Sequence, residues 1–297
     1  MMTFLNSKSD ASVVTNSSHL QEVKPFLKWA GGKSQLIQQY VPLFPKTFNR
    51  YCESFIGGGA IFFYLWNSKR LPSACYLFDN NEELINVYQV VRDEVDILIR
   101  LLWLHKKSHR KDYYYKIRNL DRENIALSPV EKAARLIYLN KTCFNGLYRV
   151  NSKGYFNVPM GSYRNPQIFD EKQLQAVSFA LQNVKLEIRD FRTMVDFAQE
   201  KDFFYFDPPY HPVSATSSFT RYSANDFTEK DQNDLANVFD ALTNKGCYCM
   251  LSNSYTPFIL NLYKNFTIKL IDATRRINSN SGKRGLIKEV VVLNYQI

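Results

Sequence analysis

Tyr51-Cys-Glu-Ser-Phe-Ile-Gly-Gly-Gly-Ala60 is the stretch on which the fold turns. Tyr51 to Phe55 reads as a strand, Gly57-Gly58-Gly59 as a tight turn, and Ala60 to about Asn67 as a helix. Glycines where a strand gives way to a helix permit tight backbone geometry. They also let a ligand approach without meeting a side chain. A plain turn accounts for the same pattern, so support must come from further along. The next strand, Ala74 to Phe78, ends in Asp79, 20 residues beyond Gly59. A carboxylate at that place can hold two ribose hydroxyls, although a simple strand-end acid is the competing reading.

The α/β alternation extends in both directions. Ser34 to Leu43 reads as a short helix closed by Pro42 and Pro45, and Glu82 to about Leu104 as one long helix with apolar positions at Leu84, Ile85, Val87, Tyr88, Val91, Val95 and Leu98. From about 105 to 170 the rhythm changes to basic and aromatic residues, with a helix near 129–142 that Pro129 can open. Helices near 170–182 and 229–243 then alternate with strands at Val184–Ile188, Asp202–Phe206 and Cys247–Leu251. Two last strands, near 266–271 and 287–294, form a hairpin around a basic loop. The expected fold is α/β: a Rossmann-like, mostly parallel sheet with a C-terminal antiparallel hairpin and an inserted, mainly helical domain. The expected division is a loose leader over 1–20, a core domain over 21–104 and 170–297, and an insert over 105–169.

The 297 residues carry 38 basic and 28 acidic side chains, a net charge of +10, which fits a polyanionic partner. Nineteen Tyr and 22 Phe exceed what stacking on bases requires, so most belong to the core. The five cysteines show no paired metal spacing, and buried free thiols are expected for Cys75, Cys247 and Cys249. The four histidines form no ligand cluster, so no metal is expected. Without a signal peptide or a membrane-length apolar run, a cytoplasmic protein with no membrane partner is expected, with a monomer as the default.

Neither a full dinucleotide fingerprint nor a phosphate-loop lysine motif is present, and Ala30-Gly31-Gly32-Lys33 is too short to be the latter. An adenosine ligand without a pyrophosphate fits better, with S-adenosylmethionine the leading candidate. Lys33 and the backbone from Trp29 to Gly32 can meet its carboxylate. Asp190 can accept from the adenine amino group, and Phe55 can pack on the adenine ring or simply in the core.

Downstream, the apolar run Phe203 to Phe206 ends in Asp207-Pro208-Pro209-Tyr210. The exocyclic amine of adenine is a poor nucleophile because its lone pair is delocalised into the ring. Acceptors at Asp207 and at the Pro208 carbonyl favour a tetrahedral nitrogen as a methyl group arrives. Pro208 and Pro209 stiffen the turn and present carbonyls free of local N–H competition. Tyr210 can stack on a base that has left the duplex. Carbon-5 cytosine chemistry needs a cysteine nucleophile, typically after a proline, and no cysteine here follows one.

Within the insert, Lys141-Thr-Cys-Phe-Asn-Gly-Leu-Tyr-Arg149 and the stretch to Tyr163 mix amides, aromatics, glycines and cations. Arg149 can donate bidentately to guanine, and Phe144 or Asn145 can approach the gap left by a flipped base. Asn151, Lys153, Tyr163 and Arg164 suit backbone or edge contacts, and Leu147 or Pro159 can touch a thymine methyl. Ordinary solvated loop residues are an equal reading for each. Arg275, Lys283 and Arg284 suggest a second phosphate-gripping loop, and His105 to Lys111 adds to the basic footprint.

Together these residues resemble the Dam-type, GATC-recognising DNA adenine methyltransferases. The resemblance rests on Phe26-Leu-Lys-Trp-Ala-Gly-Gly-Lys33, Glu53-Ser-Phe-Ile-Gly-Gly-Gly-Ala60, Phe78-Asp-Asn-Asn-Glu-Glu-Leu-Ile-Asn86, Phe144-Asn-Gly-Leu-Tyr-Arg-Val-Asn151, Phe156-Asn-Val-Pro-Met-Gly-Ser-Tyr163, Asp190-Phe191, Phe206-Asp-Pro-Pro-Tyr-His-Pro212 and Thr220-Arg-Tyr222. It implies S-adenosylmethionine near Trp29, Lys33, Phe55, Gly57, Gly59, Asp79, Asp190 and Asp207, and target-base handling by Asp207 through Tyr210. It also implies that Lys28 contacts the first guanine, that Phe144 and Asn145 work near the flipped base, and that Leu147 and Arg149 read the far part of the site. The implied partner is double-stranded DNA containing GATC, and a cognate restriction endonuclease is compatible with it. Ser54 departs from the family's usual proline, which suggests a looser cofactor turn. An N4-cytosine methyltransferase and a catalytically silent DNA-binding protein are the alternatives.

Overall fold

The computed structural model describes residues 21–123, 125–213, 227–274 and 286–297. The leader 1–20, the Thr220-Arg-Tyr222 motif and the loop carrying Arg275, Lys283 and Arg284 lie outside the described residues. Seven strands form one sheet: β1 (Tyr51–Glu53), β2 (Cys75–Asp79), β3 (Val184–Ile188), β4 (Phe203–Phe206), β5 (Tyr248–Ser254), β6 (Thr267–Thr274) and β7 (Leu286–Leu293), in the order β3-β2-β1-β4-β5-β7-β6. The first five pair in parallel, and β7 runs antiparallel to β5 and β6. This is the Rossmann-like, mostly parallel sheet with a C-terminal antiparallel hairpin that the sequence predicts.

Burial on both faces explains the unbroken apolar runs. Phe203 and Tyr205 of β4 enter one buried cluster, while Phe204 and Phe206 enter the other. The strand order reverses direction between β1 and β4. At such a switch point the carboxyl ends of parallel strands leave a crevice for ligand. Here those ends bring Glu53, Asp79 and Asp207 to one rim of the sheet.

The helices, with short 3-10 turns between them, are α1 (Ile37–Tyr40), α2 (Ala60–Asn67), α3 (Glu82–Asp93), α4 (Val95–Ser108), α5 (Lys111–Asn119), α6 (Pro129–Thr142), α7 (Glu171–Leu181), α8 (Met194–Phe197), α9 (Glu229–Asn244) and α10 (Pro257–Leu262). Three differ from expectation. The helix expected over 34–43 is split, with α1 flanked by 3-10 turns and Pro42 held inside the second of them. The single helix expected over 82–104 breaks at Glu94, whose φ of −133° leaves the helical range, so α4 takes a new direction and packs on α6. Between them and the helix at 129, α5 adds an element the periodicity did not reveal.

The helix expected near 129–142 is α6, which begins with a capping box between Ser128 and Glu131 and with Pro129 in its first turn. Its buried face, with Tyr114, Ile117, Phe156 and Val158, joins the same apolar cluster as Tyr51 and Leu77 of the sheet. All five cysteines are free and buried. Among the described residues no three His, Cys, Asp or Glu side chains gather as a metal site would need. No described helix is long and apolar enough to cross a membrane.

Within the basic run His105 to Lys111, His105 is packed against neighbouring tyrosines. His105 stacks on Tyr138 and bonds the Tyr113 hydroxyl through Nδ1 at 2.8 Å. Burial pushes its pKa down to about 4, so the neutral form predominates at neutral pH and the positive charge of the run rests on its lysines and arginine.

Candidate active site

Asp207 follows β4 directly, and its two oxygens have different environments. Oδ2 accepts from Lys33 Nζ at 2.7 Å. Oδ1 is buried and has no hydrogen-bond partner among the described residues. Burial raises the carboxyl pKa, and the Lys33 ammonium opposes that rise. Lys33, 4% exposed, also donates to the Gly31 carbonyl at 2.6 Å and lies 4.9 Å from the centre of the Tyr210 ring. An ammonium has three donors, so one remains for a ligand. The sequence predicted Lys33 beside the cofactor, but its bond to Asp207 spans 174 residues and had no local signal.

A buried polar chain fixes the turn that carries Pro208 and Pro209. Gln232 of α9 donates to the Pro209 carbonyl at 2.9 Å and accepts from Asn253 of β5 at 3.0 Å. Asn253 Oδ1 accepts from the His211 N–H at 3.1 Å, and the Ser254 hydroxyl donates to the His211 carbonyl at 2.6 Å. The sequence expected both proline carbonyls to be free of local N–H competition; the amide that engages the Pro209 carbonyl comes from α9, 23 residues away. The Tyr210 hydroxyl donates to Glu289 of β7 at 2.9 Å. Gln232, Asn253 and Glu289 lie far from the motif in sequence, and only the sheet order brings them beside it.

On the other side of the crevice, Asp79 takes the N–H of Asn81 at 3.0 Å and that of Gly57 at 3.4 Å. Burial raises its pKa to about 6, so it is mostly ionised at neutral pH. Gly57 and Gly59 have φ of +47° and +69°. A Cβ on Gly57 would lie 2.8 Å from the Trp29 ring, and one on Gly59 would lie 2.9 Å from the Tyr88 hydroxyl. The turn therefore requires glycine for packing as well as for dihedral angle. Beneath it Glu53 is 2% exposed, bonded by the Tyr51 hydroxyl at 2.8 Å. Burial pushes Glu53 up to about 8, so the neutral form predominates at pH 7. Ser54 is also buried, and its hydroxyl has no partner among the described residues.

Phe55 sits 5.6 Å from Phe191 and 5.9 Å from Phe227, an aromatic wall beside Asp190. Asp190 accepts from the Arg192 N–H at 2.8 Å and pairs with the Arg192 guanidinium at 3.0 Å. Arg192 in turn bonds Asp231 and Asp234 of α9. Phe227 and Arg192 belong to the site's surroundings, but the sequence did not point to either.

A second polar surface surrounds residues 144–163. Asn140, fully buried, accepts the Lys28 N–H at 2.8 Å, donates to the Lys28 carbonyl at 2.7 Å and to the Gly146 carbonyl at 3.0 Å. Lys28 Nζ lies 4.4 Å over the Tyr163 ring. Phe144 is 51% exposed, and Asn145 adopts φ of +55°. Arg149 and Pro159 are exposed, while Leu147 is half-buried against the core. The Arg149 Nε–H is engaged by Asn157 at 2.7 Å. Asn151 holds its own turn through the N–H groups of Lys153 and Tyr155, both at 3.0 Å. The structure thus brings Lys28 and Tyr163 together beside Gly146. Asn140, which holds the Lys28 backbone, carries no motif signal in the sequence.

Comparison with known proteins agrees with this architecture. The family described as D12 class N6 adenine-specific DNA methyltransferase matches residues 29–277. The type II methyltransferase M1.LlaDCHI of Lactococcus lactis subsp. cremoris is 45% identical over 277 residues, covering 92% of this chain and 96% of that protein. The type II methyltransferase M.MjaIII of Methanocaldococcus jannaschii is 44% identical over 289 residues, covering 92% of this chain and 100% of its own length. A DNA adenine methylase of Haemophilus influenzae is 34% identical over 274 residues, covering 91% and 93%. A sheet of this order, with carboxylates at its switch point, and matches along nearly the whole chain lead to one conclusion: the protein belongs to the D12 class of S-adenosylmethionine-dependent, N6 adenine-specific DNA methyltransferases.

Proposed function

We propose that the enzyme methylates adenine within double-stranded GATC, on a base turned out of the duplex. The observation that carries the chemistry is Asp207 Oδ1, a buried acceptor without a donor among the described residues. Such an oxygen costs about 1–3 kcal/mol while unpaired. An N–H of the target amine relieves that cost as the nitrogen becomes tetrahedral. Lys33 holds the other oxygen and favours the charged form against the burial that raises its pKa, the Pro208 carbonyl is the second acceptor, and Pro209 positions the turn. Tyr210, fastened to Glu289, offers its ring to the flipped base.

S-adenosylmethionine supplies the electrophilic methyl group. Asp79 suits its ribose hydroxyls, Gly57 and Gly59 give backbone access, and Phe55 with Asp190 suits its adenine. Trp29 and the remaining donor of Lys33 suit its amino-acid end. We assign residues 105–169 as the target-recognition insert. In it Arg149 and Leu147 read bases, Phe144 and Asn145 approach the vacated stack, and Asn151, Pro159 and Tyr163 line the reading surface with Lys28. GATC is supported by the resemblance of Phe144 to Asn151 to the GATC-recognising family. The type II names of two relatives support a companion restriction endonuclease acting on the same sequence.

Transfer of tritiated methyl groups onto duplexes containing GATC, GGTC or a scrambled site tests this reading. Labelling confined to GATC, and lost in Asp207→Ala, is expected. Equal labelling of all three duplexes removes the GATC assignment, and tight binding without any labelling removes the catalytic one.

A further inference from the structure

Tyr148 stands between Leu147 and Arg149 and touches Phe156 of the same segment edge-on, yet two further contacts run to the cofactor side. Its ring stacks on Trp29 with centroids 5.3 Å apart and planes at 24°. Its hydroxyl donates to Glu83 Oε2 at 2.7 Å. Glu83 lies in the first turn of α3, two residues after the Asn81 cap and four after Asp79. Trp29 in turn lies against Gly57, where even a Cβ would find no room. A continuous line of contact therefore runs from the glycine turn through Trp29 to Tyr148 and returns through Glu83 to the end of β2.

The neighbouring residue makes a second link between the same two regions. The Lys28 side chain fills the space beside Gly146, where a Cβ would fall 2.4 Å from Lys28 Cδ, and its backbone is clamped by Asn140. Trp29 is thus bounded by Gly57 on one side, Tyr148 on another, and a fixed backbone behind it. Close-packed groups pass on a displacement that they have no space to absorb. Burial and the Glu83 carboxylate raise the Tyr148 pKa, so its hydroxyl remains a donor throughout the working range.

We infer that Tyr148 is a positioning residue that couples occupancy of the cofactor pocket to the geometry of the DNA-reading segment. This rests on the assignment above of Trp29 to the cofactor and of Leu147 and Arg149 to DNA. Coupling between two sites is reciprocal, and it is measured as a ratio of affinities rather than inferred from a path of contacts.

The test is the dissociation constant of S-adenosylhomocysteine for the full chain, alone and saturated with a GATC duplex or a scrambled duplex. The wild-type protein should bind it about five-fold or more tightly with GATC DNA present. Tyr148→Leu, which removes stack and hydroxyl, should bring the ratio to about one, and Tyr148→Phe, which keeps the stack, should leave an intermediate ratio, on the same linkage scale. A purely structural role would weaken both affinities or lower Tm while leaving the ratio intact, and that result overturns the inference. So does a wild-type ratio of one with every duplex. If Tyr148→Leu does not fold, unchanged ratios in both Tyr148→Phe and Glu83→Gln overturn it. Failure of the GATC assignment looks different: equal wild-type ratios for both duplexes, still lost in Tyr148→Leu.

Discussion

The turn after β4 and the segment from Phe144 to Tyr163 are both irregular and polar, but they are held in opposite ways. After β4 the side chains themselves are fixed: Asp207 by Lys33, Tyr210 by Glu289, and the proline turn by Gln232 and Asn253. In the second region it is mainly the backbone that is fixed, by Asn140 on Gly146 and by the Val150–Phe156 and Cys143–Met160 bridges. There Phe144, Asn145, Arg149 and Pro159 remain exposed. A reacting amine needs acceptors already in place, because reorganising them would add to the barrier. A base-reading surface needs a fixed frame whose outer groups can exchange water for DNA.

The sharpest way to break this comparison is Asp207→Ala. It should lower kcat about a thousand-fold, on the scale of losing a preorganised transition-state contact, with duplex affinity changed little. Single-turnover methylation and a binding isotherm measure the two effects. An equal loss in both would mean that Asp207 serves DNA binding instead. Arg149→Ala should act the other way, reducing discrimination between GATC and a guanine-substituted site by about 10- to 100-fold while single-turnover methylation at saturating DNA stays near wild type. Competition between the two duplexes reads that ratio.

Two smaller effects concern the carboxylates at the sheet rim. Asp79, raised to about 6 by burial, loses its charge as pH falls through that value. If the ionised form holds the ribose, the apparent affinity for S-adenosylhomocysteine should weaken about ten-fold between pH 7 and pH 5, following the ionised fraction. Titration calorimetry across that range checks it, and Asp79→Asn should show a flat profile. Glu53 has a folded pKa of about 8, above its unfolded value of 4.5. The folded state then binds the extra proton, so the stability contributed by Glu53 is full below about pH 4.5 and is lost towards pH 8, with a slope of up to about 1.4 kcal/mol per pH unit. Denaturant melts of wild type and Glu53→Gln should differ in that slope. Equal slopes would place Glu53 outside the pH response.

The two regions were also legible to different degrees. Asp207 to Tyr210 could be read as a site because a strand-end carboxylate followed by two prolines is a local pattern with a local consequence. Gly57, Gly59 and Asp79 were legible for the same reason. Tyr148 drew no attention, because its meaning lies in a ring and a carboxylate contributed by other parts of the chain. The packing of His105 was equally hidden, since nothing near it in sequence reveals the tyrosine on which it stacks.

By itself the sequence determined the alternation of strands and helices, the parallel sheet, and the presence of carboxylates at its carboxyl edge. Those features follow from periodicity and turn chemistry within a few residues. The tertiary structure decided which oxygen of Asp207 is held and which lacks a partner, where the long helix breaks, and how the Lys28–Trp29 pair joins the two surfaces. The bonds responsible link residues 174 positions apart at Lys33–Asp207 and 112 apart at Lys28–Asn140. They exist only once burial has removed water as the competing partner.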